Sequence, residues 1–222
     1  VLVPPGAEEA FCERIVRLDG GHVSFLPPID APDVVARPES NEIVFGSFNK
    51  LDKTTPEVLS TWAEIIVRQS NSRLVLRSRG LDDPRVSKRI VDLLGEAGVD
   101  PIRIECHGWV SHSELLAGYG EIDVGLDTFP FSGGLTTCEA LWMGVPVVTW
   151  ARSRMCGRQT ASFLARVGLE DLASSSRENY VSTVMSLAED SDRRRRLRSE
   201  LRERVAGGPL GDGRRLAREF TS

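Results

Sequence analysis

From Glu42 onward, short apolar runs alternate with amphipathic stretches, a pattern that predicts repeating strand and helix units. "IVFGSF" (43–48) reads as a buried strand. "TTPEVLSTWAEIIVRQ" follows as a helix with a threonine cap, Pro56 in its first turn, and Val58, Leu59, Trp62, Ile65 and Ile66 on one face. "RLVLRS" (73–78) is the next strand. "DDPRVSKRIVDLLGEAGVD" repeats the helix recipe, with a cap at Asp83, a stripe through Val86, Ile90, Leu93 and Ala97, and Gly98 as its stop. Further strands are expected at 102–108, at 122–127 and in "VPVVTW". Between them lie a helix in "SHSELLAGYG", with Ser111 and Glu114 as a capping box, and a short one in "TTCEALWMG". Helices near 157–167, 177–189 and 192–205 complete the chain, with "LEDLAS" a short sixth strand at an edge. Strands that read as continuous apolar runs are covered by helices on both faces. The expected fold class is therefore α/β, a Rossmann-like doubly wound parallel sheet.

Residues 1–40 hold six of the twelve prolines, which denies them regular helices or central strands. They form an extended Pro-rich segment, and 41–222 form the folded lobe. With 41% hydrophobic and 27% charged residues, the chain suits one globular domain and some extra chain. The net charge of -4 gives no general attraction to nucleic acid or an anionic membrane. "DRRRRLRSELRERV" (192–205) reads as a salt-bridged helix whose acids are Asp192, Glu200 and Glu203. Cys12, Cys106, Cys138 and Cys156 are spread without a C-x-x-C pair, which predicts free thiols and a reducing, cytoplasmic setting. No run approaches the roughly 20 apolar residues of a membrane span, and the first residues lack a signal-peptide pattern. A start at Val1 without methionine reads as a piece of a longer protein.

In a doubly wound sheet, ligands bind at the carboxyl ends of strands near the switch in strand order. The loops "NKLDKTT", "HGWVSHS" and "DTFPFSGGLTT" are the candidates. "SGGLTT" opens a helix whose unpaired N–H groups suit an anion such as a diphosphate, and Gly133 and Gly134 let the backbone come close. Thr136 and Glu139 also have the spacing of a capping box, which would satisfy those donors without a ligand. Spacing leaves both readings standing. Lys50 and Lys53 follow the first strand, where a lysine near a diphosphate would stabilise a leaving group, unless both are simply solvated. His107 and His112 flank Trp109, a cluster suited to a base or a sugar. With three histidines, no H-E-x-x-H and no D-x-D after a strand, no metal is expected. There is no P-loop, no G-x-S-x-G elbow and no G-x-G-x-x-G after the first strand.

"FGSFNKLDKTTPEVLSTWAEI", "LVLRSRGLDDP", "EIDVGLDTFPFSGGLTTCEALWMGVPVVT" and "SSRENYVSTVMSLAEDSDRRRRLRSELRERV" together resemble the C-terminal catalytic lobe of O-linked N-acetylglucosamine transferases, especially bacterial relatives and SPINDLY-type proteins (glycosyltransferase family 41). The resemblance runs from about residue 41 to the end. "PPGAEEAF" and "RLDGGHVSFLPPIDAP" are similar to the inter-lobe segment before it. It implies one lobe of a two-lobed GT-B glycosyltransferase, inverting and metal-independent. The donor would be UDP-GlcNAc, with no further cofactor, and the acceptor the Ser or Thr hydroxyl of a protein or peptide. The other catalytic lobe and tetratricopeptide repeats would be partners outside these residues. By the family pattern, Lys53 assists departure of UDP, and Lys50 stands where relatives often carry Gln or Asn. Gly133, Gly134, Leu135, Thr136 and Thr137 cradle the phosphates, and Glu139 bonds the ribose. Leu115 and Gly118 depart from the family's histidine and arginine, leaving base recognition to His112 or to the backbone near Trp109 and Val110. A SPINDLY-type protein O-fucosyltransferase lobe using GDP-fucose, and a catalytically silent nucleotide-binding or scaffold module, are the alternative readings.

Overall fold

The computed structural model describes residues 2–38 and 40–221; of the Pro-rich segment, Val1 and Glu39 lie outside the described residues, as does Ser222. Six strands, β1 (Ile43–Ser47), β2 (Ser72–Arg77), β3 (Ile104–His107), β4 (Val124–Leu126), β5 (Val147–Trp150) and β6 (Ala173–Ser174), form one sheet. Their order is β3-β2-β1-β4-β5-β6 and every pair is parallel. This is the Rossmann arrangement, with its switch between β1 and β4. Phe45 pairs with Val124 and Gly46 with Gly125 across that switch.

Successive residues of a strand point to opposite faces, and β1 divides its side chains accordingly. Phe45 joins a large core with α1 (Pro56–Arg68), α5 (Gln159–Arg166), α6 (Arg177–Glu189) and α7 (Ser191–Gly207). Val44 joins a smaller core with α3 (His112–Gly118) and α4 (Leu135–Trp142). The Thr55 hydroxyl caps α1 by accepting the Val58 N–H at 3.3 Å, and the expected face of α1 is buried throughout. Within that core, Trp62 Nε1 donates to Tyr180 Oη, which donates to the Asp127 carbonyl, each at 3.2 Å. Both polar tips are thereby satisfied.

Three expectations need correction. In α2 (Pro84–Glu96) Ile90 and Leu94 are buried and Val86 and Leu93 pack against the core as expected, but Ala97 lies exposed past the helix end. The third strand begins at Ile104, not 102: Asp100 accepts the Ile102 N–H at 3.1 Å and Pro101–Arg103 forms a 3-10 turn, leaving Ile102 85% exposed. A local side-chain bond and a proline have displaced two residues of sheet. The basic helix α7 is only partly a salt-bridged surface. Arg204 pairs with Glu200 at 2.6 Å and Arg195 with Asp192, but Glu203 has no ion pair among the described residues. Arg194, Arg198 and Arg202, four residues apart, turn inward instead. Arg198 is buried and donates to the carbonyls of Tyr119, Met143 and Ile122; Arg202 donates to those of Trp142 and Pro32. Burial pushes the Arg198 pKa down to about 10.

A final helix, α8 (Gly213–Thr221), was not anticipated, because "GGPLGDG" before it is dense in helix breakers. It helps anchor the Pro-rich segment, where Gly20 N–H meets the Glu219 carboxylate at 2.9 Å. Phe25 is buried and donates its N–H to the Leu210 carbonyl at 2.8 Å, and Arg37 pairs with Asp123 at 3.0 Å. All four cysteines are free. No helix among the described residues is long and apolar enough to cross a membrane.

Candidate functional site

The carboxyl ends of β1 and β4 open side by side at the switch point, so the loops that follow them share one crevice. After β1 the chain makes a 3-10 turn at Leu51–Lys53, held where the Leu51 N–H donates to Ser78 Oγ at 3.0 Å. The turn leaves Lys50 exposed and carries Lys53 across to the β4 loop. There Lys53 Nζ donates to the Ser132 carbonyl at 2.7 Å and stands 4.3 Å from the centre of the Phe131 ring. Burial pushes the Lys53 pKa down; the Asp127 carboxylate opposes that shift and Lys50 adds to it.

Asp127 is the keystone of the β4 loop. It is fully buried, with Oδ1 accepting the Gly133 N–H and Oδ2 the Thr149 hydroxyl, each at 2.6 Å. Burial pushes its pKa up, and the hydrogen bonds pull it back. Ser132 Oγ donates to the Cys156 carbonyl at 2.9 Å and accepts the Gln159 N–H at 3.0 Å, tying the loop to α5. Gly133 is required for space: a Cβ there would collide with Thr137 Oγ1 and lie 3.1 Å from Asp127 Oδ1.

Gly134 is the N-cap of α4, and no side chain caps that helix. The capping-box reading of Thr136 and Glu139 is therefore incorrect. The helix begins at Leu135, which puts Thr136 inside its first turn, where its hydroxyl donates to Asn49 Oδ1 at 3.0 Å. Glu139 points elsewhere, its Oε1 lying 2.7 Å from His112 Nε2. The start of α4 thus offers backbone donors and a positive dipole end beside the Lys53 ammonium. Of the two threonines, Thr136 is partly exposed, while Thr137 is buried with its hydroxyl 3.0 Å from that of Thr160. Leu135 is exposed at the rim.

Glu139 is only 3% exposed, and burial pushes its pKa up while the bond to His112 pulls it down. His112 reaches it from the first turn of α3, where both halves of the Ser111–Glu114 capping box are formed. Tyr119 Oη donates to the Thr136 carbonyl at 3.0 Å and joins the two helices. The expected cluster around Trp109 does not assemble. His107 faces Glu105 at 3.3 Å, His112 goes to Glu139, and the exposed Trp109 ring stacks under Arg79 at 3.9 Å. Val110 lies half-buried between these groups, and Leu115 packs into the smaller core. Sequence reasoning missed Asn49, Tyr119 and Asp127. Only Asp127 left a signal, a carboxylate ending an apolar strand at a binding edge.

Lys53 and the α4 start therefore make a cationic point, and α4 carries the acidic Glu139 about one turn further on. This polarity suits a ligand carrying an anion at one point and hydroxyls at another.

A family model described as Glycosyl transferase family 41 matches residues 33–220. A tomato (Solanum lycopersicum) protein named probable UDP-N-acetylglucosamine–peptide N-acetylglucosaminyltransferase SPINDLY is 35% identical over 223 residues, covering 99% of this chain and 24% of that protein. The Caenorhabditis elegans UDP-N-acetylglucosamine–peptide N-acetylglucosaminyltransferase is 31% identical over 160 residues, covering 72% of this chain and 14% of that protein. Among solved structures, a mutant of the Thermobaculum terrenum O-GlcNAc transferase matches with a TM-score of 0.91 at 39% identity, over 99% of this chain and 42% of that one. The chain thus spans about a quarter of the length of the SPINDLY relatives it matches. A family model covering most of its residues, together with relatives above 30% identity across nearly all of it, shows that the chain belongs to glycosyl transferase family 41.

Proposed function

We propose that this chain is the donor-binding lobe of a protein O-GlcNAc transferase-like enzyme. It would hold UDP-GlcNAc for transfer of GlcNAc to a Ser or Thr hydroxyl of an acceptor protein or peptide, with inversion, without a metal and without a further cofactor. The observation that carries this reading is the α4 start, uncapped by any side chain and lying beside Lys53. The names of the relatives agree with it.

In this reading the diphosphate lies on the backbone donors of Gly134, Leu135 and Thr136, with Gly133 giving it room. The acceptor hydroxyl passes its proton to a base of the second lobe as its oxygen attacks the anomeric carbon, the bond from that carbon to the diphosphate breaks, and negative charge gathers on the departing phosphate oxygen. Lys53 has three N–H donors and gives one to Ser132, leaving two for that charge. Glu139 bonds the ribose hydroxyls from its buried position, steadied by His112, and Val110 lies on the base side. Catalysis is then positioning plus electrostatic stabilisation of the leaving group. The acceptor side of the crevice would come from a second lobe.

The test is Lys53→Ala in the complete protein. Turnover should fall by about 10- to 1000-fold, the scale for losing one transition-state charge partner. Near-normal turnover would contradict the role given to Lys53.

A further inference from the structure

Two buried side-chain nitrogens have no hydrogen-bond partner among the described residues, Arg77 Nε and Trp142 Nε1. Arg77 ends β2, paired with His107, on the sheet face covered by α3. Its guanidinium carbon stands 5.6 Å from the Phe48 ring centre, and Phe48 leans on Tyr119 with centroids 4.5 Å apart. Tyr119 in turn bonds the Thr136 carbonyl at the start of α4. Gly118 lies alongside, where a Cβ would come 3.5 Å from Arg77 Nε. The Ser111 hydroxyl and N–H both donate to Glu114 Oε2, at 2.6 and 2.9 Å, and with a smaller contribution from the Arg77 charge they hold the Glu114 carboxyl below its ordinary value.

A guanidinium offers five N–H donors in a planar fork, and a buried donor left unmatched is destabilising. Folded proteins leave few such groups. Here Nε is closed off while the side chain as a whole is only half-buried, and the group sits beside Gly118 in the last turn of α3 with no protein acceptor committed to it.

We propose that Arg77 reads the nucleobase of the donor. Its terminal N–H groups donate to a keto oxygen on the base edge, O4 of uracil or O6 of guanine. Cytosine and adenine present an amino group at the corresponding place, so two donors would face each other and both would lose their partners. The proposal rests on the donor-lobe reading, in which the diphosphate at α4 and the ribose at Glu139 direct the base toward α3.

The experiment is calorimetric titration of the chain with UDP, CDP, GDP, ADP and inorganic pyrophosphate. Wild type is compared with Arg77→Met and Arg77→Lys, and folding is checked by thermal melts. Wild type should prefer one keto base over its amino counterpart by about 10- to 100-fold, the scale of a good bidentate base contact. Arg77→Met should bring that ratio to within about 2-fold and leave pyrophosphate affinity unchanged, because only the base contact is removed. Arg77→Lys keeps the charge without the fork, so its ratio should fall between the two, and it decides the matter should Arg77→Met not fold. A folded variant that keeps the wild-type ratio, or a wild type without keto preference, overturns the role of Arg77 and leaves the donor lobe standing. Wild type that binds neither nucleotide nor pyrophosphate overturns both.

Discussion

Lys53 and Glu139 are charged groups held where water is scarce, and their pKa values move in opposite directions for that shared reason. The folded-state pKa of Lys53 lies below its ordinary value of 10.5, so its contribution to stability is present above that value and lost as pH falls through the lowered one. At neutral pH the empty site pays for an ammonium with too little solvent, a cost a bound diphosphate offsets. Nucleoside diphosphate affinity should therefore decline as pH rises through the lowered Lys53 value, earlier than for an exposed lysine. Lys53→Arg, charged throughout, should flatten that decline in titrations from neutral to alkaline pH; an unchanged profile would show that Lys53 is not the group involved. The Glu139 pKa is raised above 4.5, so its contribution is complete below that value and lost as pH rises through the raised one. Glu139→Gln should accordingly raise the melting temperature at pH 7, with the gain shrinking toward acid pH. It should also weaken nucleoside diphosphate binding more than pyrophosphate binding. Equal loss for both ligands would remove the ribose role.

Two elements hold these residues in place, and each has a weak point. The β4 loop depends on Gly133 having no side chain. Gly133→Ala would drive a methyl into Thr137 and toward Asp127, lowering stability by about 1–3 kcal/mol, the usual cost of overpacking, and abolishing anion binding at α4. Denaturant melts and pyrophosphate titration measure the two effects. Helix α7 acts at the amino side of the smaller core, where Arg198 gathers three carbonyls from the ends of α3 and α4. Arg198→Met should cost about 2–3 kcal/mol by leaving buried acceptors unmatched, with nucleotide affinity changed far less than stability. The periodicity of α7 was legible in the sequence, but the inward turn of its arginines was not. A run of arginines reads alike whether its partners are water, carboxylates or distant carbonyls, and those of Arg198 lie at least 55 residues away in the chain. The threonine and glutamate opening α4 misled for a related reason. Capping depends on which residue leaves the helix conformation, and Gly134 does so two positions before the threonine that could cap.

For the molecule as a whole, the doubly wound parallel sheet and the loops at its carboxyl edge follow from one pattern. Continuous apolar strands between amphipathic helices require a parallel sheet, a parallel sheet has a switch point, and the loops at that point hold Lys53, Gly133 and Thr136. That much was readable before any coordinates. Pairings across the crevice were not: Lys53 with Ser132, His112 with Glu139, and Thr136 with Asn49 join residues 27 to 87 positions apart. The ties of the Pro-rich segment to Leu210, Glu219 and Asp123 depend on tertiary contact alone. The central claim is that the start of α4 and Lys53 hold the diphosphate of a nucleotide sugar, and a crystal structure of the chain with UDP tests it most directly. The account predicts the diphosphate on the backbone N–H groups at 134–136, with Lys53 Nζ donating to a phosphate oxygen. A diphosphate bound elsewhere, out of contact with Lys53, would contradict it.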